Sequence, residues 1–118
     1  MLVADDDPNI RGIIARQLAE EGYEVVLARH GGEALDHVRG GQLFDLLITD
    51  IRMPEMGGWE LSRRLRERWP TLPVLYISGF DVELTRNAAL APTAGAFLRK
   101  PFDLDELSRL VARLLGGV

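Results

Sequence analysis

The chain has 118 residues, enough for one domain, expected to span 1–118, with a real core. Its 18 acidic residues outnumber 14 basic ones, and the net charge of −4 argues against the cationic face that direct nucleic-acid binding requires. The absence of cysteine removes disulfide and thiolate chemistry, and no apolar run approaches the roughly 18 residues of a membrane span. With no signal-like segment, a cytoplasmic protein without a membrane partner is expected.

Met1-Leu2-Val3-Ala4 is a short apolar run that breaks at Asp5-Asp6-Asp7-Pro8, which predicts a strand and then a helix. Asp7 before Pro8 fits an N-cap followed by proline at the first helical position. Ile10, Ile13, Ile14 and Leu18 recur at helical spacing, and Gly22 is placed to stop the helix. Val25-Val26-Leu27-Ala28 is the second predicted strand. A helix from Gly32 to Val38, with Ala34, Leu35 and Val38 inward, ends at Gly40-Gly41. His30 and His37 fall in or near it and read as plain surface residues.

Leu46-Leu47-Ile48-Thr49-Asp50 runs apolar without a break, meets a carboxylate, and turns at Met53-Pro54-Glu55-Met56-Gly57-Gly58. Such a run bounded by turn signals predicts a strand buried on both faces, as in a parallel sheet. The third helix carries Leu61, Leu65 and Trp69 and closes before Pro70; Trp59 and Trp69 read as packing residues on it. Val74-Leu75-Tyr76-Ile77 is a fourth strand ending in Ser78-Gly79. A weaker helix pattern covers Val82 to Leu90. Ala96-Phe97-Leu98 is a fifth strand before Arg99-Lys100-Pro101, and the last helix opens at Asp103 with Leu104, Leu107, Leu110, Val111 and Leu114 on one side.

Five strands alternating with five helices predict an α/β fold with a parallel sheet covered on both faces. In such sheets chemistry lies just outside the carboxyl ends of the strands. There the sequence places Asp5 and Asp6 after the first strand, Asp50 after the third, Ser78 after the fourth and Lys100 after the fifth. Thirteen of the fourteen basic residues are arginine, so the single lysine, Lys100, marks a place for a compact ammonium on a flexible stem.

Three carboxylates brought within a few ångströms repel one another unless a cation intervenes. Mg²⁺, or Mn²⁺ in its place, takes oxygen ligands and bridges carboxylates to a phosphate. Lys100 adds a fixed positive charge and Ser78 a hydroxyl donor. These parts suit phosphoryl transfer, which needs positioning and charge neutralisation, with Asp50 as a nucleophile able to form an aspartyl phosphate. No general-base histidine is expected within reach.

Four motifs carry a family resemblance over essentially the whole chain: Leu2-Val3-Ala4-Asp5-Asp6-Asp7-Pro8, Asp45-Leu46-Leu47-Ile48-Thr49-Asp50-Ile51-Arg52-Met53-Pro54 with Gly57-Gly58, Ile77-Ser78-Gly79, and Phe97-Leu98-Arg99-Lys100-Pro101-Phe102. In these the sequence resembles the receiver domain of bacterial two-component response regulators. The resemblance implies a flavodoxin-like (βα)5 doubly wound parallel sheet with strand order 2-1-3-4-5. It implies that Asp50 accepts a phosphoryl group from a kinase phosphohistidine. Asp6 and Asp50 would bind Mg²⁺ directly with the backbone carbonyl of Arg52, Asp5 mainly through water, and Ser78 and Lys100 would contact the phosphoryl oxygens.

The Lys100-Pro101 bond is expected to be cis, and Arg52 and Glu55 to border the site and tune the phosphoaspartate. Phe97 stands at the switch-aromatic position, where it reads equally as strand core; with Ser78 it would reshape the surface of the fourth helix and fifth strand. Implied partners are a sensor histidine kinase or phosphotransfer domain and an effector domain or downstream protein, with a homodimer left open.

A free-standing regulator, a receiver ahead of an effector, and the receiver of a hybrid sensor histidine kinase all fit. The Leu75–Phe80 segment leans toward the free-standing and hybrid cases. The domain is expected to be a self-catalysed phosphoacceptor and no turnover enzyme. The competing reading, an aspartate-nucleophile phosphatase of dehalogenase type, needs a second Asp two residues after the nucleophile, where this chain has Arg52. A flavodoxin-like FMN carrier would need a hydroxyl-rich phosphate loop where three aspartates stand.

Overall fold

The computed structural model describes residues 1–79 and 95–116. Its strands are β1 (Leu2–Ala4), β2 (Val26–Ala28), β3 (Leu47–Asp50), β4 (Val74–Ser78) and β5 (Gly95–Arg99). Its helices are α1 (Pro8–Glu20), α2 (Gly31–Arg39), α3 (Gly58–Arg68) and α4 (Leu104–Leu114). The helix expected over 82–90 lies outside the described residues.

The strands form one parallel sheet in the order β2-β1-β3-β4-β5. Alternation along each strand sends side chains to two separate cores. Leu2, Ala4, Leu47, Val74 and Tyr76 pack with α2 and α3, while Val3, Ile48, Leu75 and Ile77 pack with α1 and α4. Both faces are covered, so β3 and β4 are buried along their whole length. This is the doubly wound, flavodoxin-like sheet in the expected order.

Local chemistry sets the helix ends. Asp7 caps α1 by accepting from the amides of Asn9 and Ile10, with Pro8 at the first position, and Asp103 caps α4 through the Asp105 amide. Gly22 and Gly41 follow α1 and α2 with φ of 93° and 97°, a left-handed conformation that suits glycine. The apolar residues at helical spacing along α1 are not equally buried. Ile14 and Leu18, at a four-residue step, are fully buried with Ile10 packed beside them, whereas Ile13 turns off that line and is 47% exposed.

The two histidines are also not plain surface residues. The His30 ring caps α2 from its N-terminal end, and His37 Nε2 lies 3.0 Å from the backbone oxygen of Leu27.

Candidate functional site

The parallel order brings the C-terminal ends of β1, β3, β4 and β5 side by side, and a polar residue closes or follows each. Asp50 closes β3 and is 8% exposed; Ser78 closes β4 and is 1% exposed; Asp5 follows β1 at 1%. Main-chain bonds lock these ends together: the Lys100 amide donates to the Ser78 carbonyl at 2.8 Å, Ile51 to Ile77 at 3.0 Å, and Asp5 to Ala28 at 3.1 Å.

Lys100 reaches back over the rim to both buried acids. Its Nζ donates to Asp50 Oδ2 at 3.1 Å and lies 3.3 Å from Asp5 Oδ2. The other oxygens are held by main-chain amides: Asp50 Oδ1 accepts from Arg52 at 3.3 Å and Asp5 Oδ1 from Asp7 at 2.9 Å. Asp6 is exposed on the same rim. One carboxylate oxygen from each of Asp5, Asp6 and Asp50 can be chosen so that all lie within 4.8 Å of one another.

The electrostatics follow from this crowding. Burial raises the pKa of Asp5 above 3.8 and the Asp50 charge adds to it, against the pull of the Asp7 amide and the Lys100 charge. Burial likewise raises Asp50, more than its bond to Lys100 lowers it. Lys100 is held above 10.5: burial lowers it, but the Asp5 and Asp50 charges together outweigh that effect. One ammonium therefore leaves two buried acids and an exposed third undercompensated.

The donor set fits a hard divalent cation. All three acids offer oxygen, Asp6 opens the cluster to water, and Asp5 Oδ2 is buried without a hydrogen bond although Lys100 stands beside it as an ion pair. Mg²⁺ retains several waters, which suits a site with one exposed edge.

The loop after Asp50 is packed against its backbone. Thr49 Oγ1 donates to the Asp50 carbonyl at 2.9 Å, and the Gly58 amide to the Ile51 carbonyl at 2.9 Å. A Cβ on Gly58 would collide with the Asp50 carbonyl oxygen, so only glycine lets α3 start this close. Between them Glu55 is left-handed, with φ 67°, and exposed beside the site. The Lys100-Pro101 peptide is cis, as expected.

Two supports escaped the sequence reading. Arg11 Nη1 donates to the Asp5 carbonyl at 2.8 Å, steadying the residue that begins the acid run. The only hint was a basic side chain in the first turns of α1. The second is the setting of Phe97, which stacks on Tyr76 at 5.4 Å and lies 5.9 Å from Trp59. Trp59 thus packs across β4 and β5 as well as on its own helix.

The family model for the response regulator receiver domain matches residues 1–112. Response regulator MprA of Mycobacterium avium (strain 104) is 39% identical over 115 residues, covering 98% of this chain and 50% of that protein. The chain therefore spans about half the length of the curated relatives it matches. A response regulator receiver protein from Sinorhizobium medicae superposes with a TM-score of 0.88 at 31% identity, covering 98% of this chain and 92% of that one. The response regulator protein TrrA of Thermotoga maritima, solved in complex with Mg(2+)-BeF, gives a TM-score of 0.83 at 34% identity and 96% coverage of both chains.

Proposed function

This chain belongs to the response regulator receiver domain family, and from that premise we propose that Asp50 is its phosphoacceptor, served by Asp5, Asp6, Arg52, Ser78 and Lys100. The family's role is that of a phosphoacceptor signalling switch. One observation carries the assignment to Asp50: it is the carboxylate that meets the ammonium of the lone lysine in a hydrogen bond while its second oxygen is held by a main-chain amide.

An Asp50 oxygen attacks the phosphorus of a kinase phosphohistidine; the P–O bond forms as the P–N bond breaks. The imidazole departs with the electron pair of that bond, keeping the proton on its other nitrogen. Lys100 and the Ser78 hydroxyl bind the transferred oxygens, which carry roughly two negative charges. Receiver domains bind Mg²⁺ at acidic residues. Here Asp6, Asp50 and the Arg52 carbonyl would hold it directly and Asp5 through water, and the ion, Mg²⁺ or Mn²⁺, would neutralise charge that Lys100 alone cannot.

The output is carried by a rearrangement of Ser78 and Phe97. Receivers of this family work with histidine kinases and effector domains, and the naming of the longer relatives as response regulators supports an effector as the recipient. The domain catalyses only its own phosphorylation and dephosphorylation. Action in the cytoplasm belongs to this reading; among the described residues no helix is long and apolar enough to cross a membrane. Nothing favours a dehalogenase-type phosphatase, whose second acid would fall at Arg52.

Incubation with acetyl phosphate and Mg²⁺ followed by intact mass tests the proposal. A labile gain of one phosphoryl group is expected, lost in Asp50→Asn and lost with a chelator. Labelling that survives Asp50→Asn, or repeated release of orthophosphate at enzymatic rates, overturns it.

A further inference from the structure

α2 starts without a hydroxyl, carboxylate or carboxamide at its cap position, which His30 takes instead. Its backbone is extended, at φ −164° and ψ 175°, and its ring Nδ1 accepts the Glu33 amide proton at 3.1 Å. Glu33 reaches back in turn: Oε1 accepts from the Arg29 amide at 2.9 Å and Oε2 binds the Arg29 guanidinium at 2.8 Å. The arrangement resembles a capping box with an imidazole where Ser or Thr usually stands. A hydroxyl does not titrate near neutral pH, and an imidazole does.

An amide N–H can only donate, so Nδ1 must offer a lone pair and the neutral ring carries its proton on Nε2. Protonation places a hydrogen on both nitrogens. The acceptor is then lost, a donor faces a donor, and a positive charge stands at the positive end of the helix dipole. We propose that His30 is a titratable N-cap: the neutral ring holds the first turn of α2, and protonation releases it.

The consequence extends beyond α2. A Cβ at Gly31 would come 2.8 Å from Met56 Sδ, so the helix start is packed tightly on the loop that leads away from Asp50. Loosening the first turn loosens that contact.

The charged groups around the ring do not imitate this titration. On its own segment Arg29 and Glu33 are paired, and the bonds from Arg29 hold Glu33 below the usual carboxylate range, so it stays ionised across the histidine window. On neighbouring loops Asp6 and Glu55 are exposed, and on α3 Glu60 pairs with Arg64. The other histidine, His37, faces a carbonyl, so its ring acts as the donor and a second proton leaves that bond intact.

The test is NMR of the whole chain between about pH 5 and 8, where histidine titrates. At the alkaline end His30 should be the Nε2–H tautomer. As pH falls, the Glu33 amide should shift and its hydrogen-exchange protection factor should drop about fivefold, the size of losing one N-cap, in step with the ring resonances of His30. His30→Asn should keep the cap and abolish the step. His30→Ala should show low protection at every pH. An Nδ1–H tautomer, a Glu33 amide indifferent to His30, or a step that persists in His30→Asn overturns the proposal. Phosphorylation plays no part in these readouts.

Discussion

The Lys100 ammonium lies 3.1 Å from Asp50 Oδ2, joining the loop after β5 to the end of β3 across the intervening strand β4. A lysine can fill this place because its charge is compact and its stem flexible; a planar guanidinium needs more room and a different set of acceptors.

Lys100→Met keeps the stem and removes the charge. Loss of a charge-assisted hydrogen bond costs about 1.5–3 kcal/mol, so phosphorylation of Asp50 by acetyl phosphate should slow about 10- to 100-fold at fixed Mg²⁺. The rate is read by intact mass against time. An unchanged rate with folding intact would remove Lys100 from the site.

Asp5 and Asp50 predict an unusual pH dependence for the metal-free protein. Both have folded pKa values raised above 3.8 by burial. In the window that opens at 3.8 the native state therefore binds more protons than the unfolded chain, and stability falls as pH rises through the folded values. Glu33, lowered by Arg29, acts with the opposite sign: its stabilisation is present above 4.5 and is lost as pH falls through its folded value. Urea midpoints measured with a chelator should decline as pH rises from acid toward neutral. Saturating Mg²⁺ should reverse the decline, by about 2.7 kcal/mol at a hundred times its Kd. Asp50→Asn should flatten the chelator curve. Curves that coincide with and without Mg²⁺ would count against the acids as its ligands.

The start of α3 gives a steric prediction. In Gly58→Ala the new methyl would collide with the Asp50 carbonyl oxygen and sit 2.9 Å from the methyl of the buried Thr49 side chain. Overpacking of this kind costs about 1–3 kcal/mol. The helix must retreat and take the Asp50 peptide with it, so the urea midpoint and the phosphorylation rate should fall together. Gly12→Ala meets nothing within 4 Å and serves as the control. A Gly58→Ala protein with unchanged stability would show that the loop yields freely.

Much of this architecture was legible in the sequence because its signals are local. Apolar runs of four or five residues gave β1, β3 and β4, and Asp7-Pro8, Gly22 and Gly41 marked helix ends. The rim residues followed from strand ends alone, since a parallel sheet aligns those ends whatever lies between. Contacts between distant segments were not legible. The fit of Gly58 against the Asp50 carbonyl, the grip of Arg11 on Asp5, and the packing of Trp59 on Phe97 depend on how α1 and α3 are seated. Spacing alone did not separate Ile13, which is exposed, from its buried neighbour Ile14, because a periodic pattern blurs by about one residue around the helix. His30 was missed because an imidazole is outside the usual cap residues.

The aromatic group on β4 and β5 offers a direct test of Phe97 as a switch. Trp59, Tyr76 and Phe97 are in mutual ring contact: Tyr76 stacks on Phe97 at 5.4 Å, and Trp59 lies tilted against Tyr76 at 4.4 Å and against Phe97 at 5.9 Å. Tyr76 is pinned, being fully buried with its hydroxyl 2.8 Å from Ser62 Oγ, so Phe97 and Trp59 are the members free to respond. Phenylalanine has no hydroxyl with which to report a hydrogen bond outward, so any signal it sends must be one of shape. If phosphorylation draws Ser78 toward the phosphoryl group and Phe97 turns, the surroundings of the Trp59 indole must change. In a Trp69→Phe background Trp59 is the sole indole, and its emission should shift when Asp50 is phosphorylated by acetyl phosphate and Mg²⁺. Phe97→Ala should remove most of that shift while leaving the mass gain intact. Emission that ignores phosphorylation, with the mass gain complete, would leave Phe97 as core and nothing more.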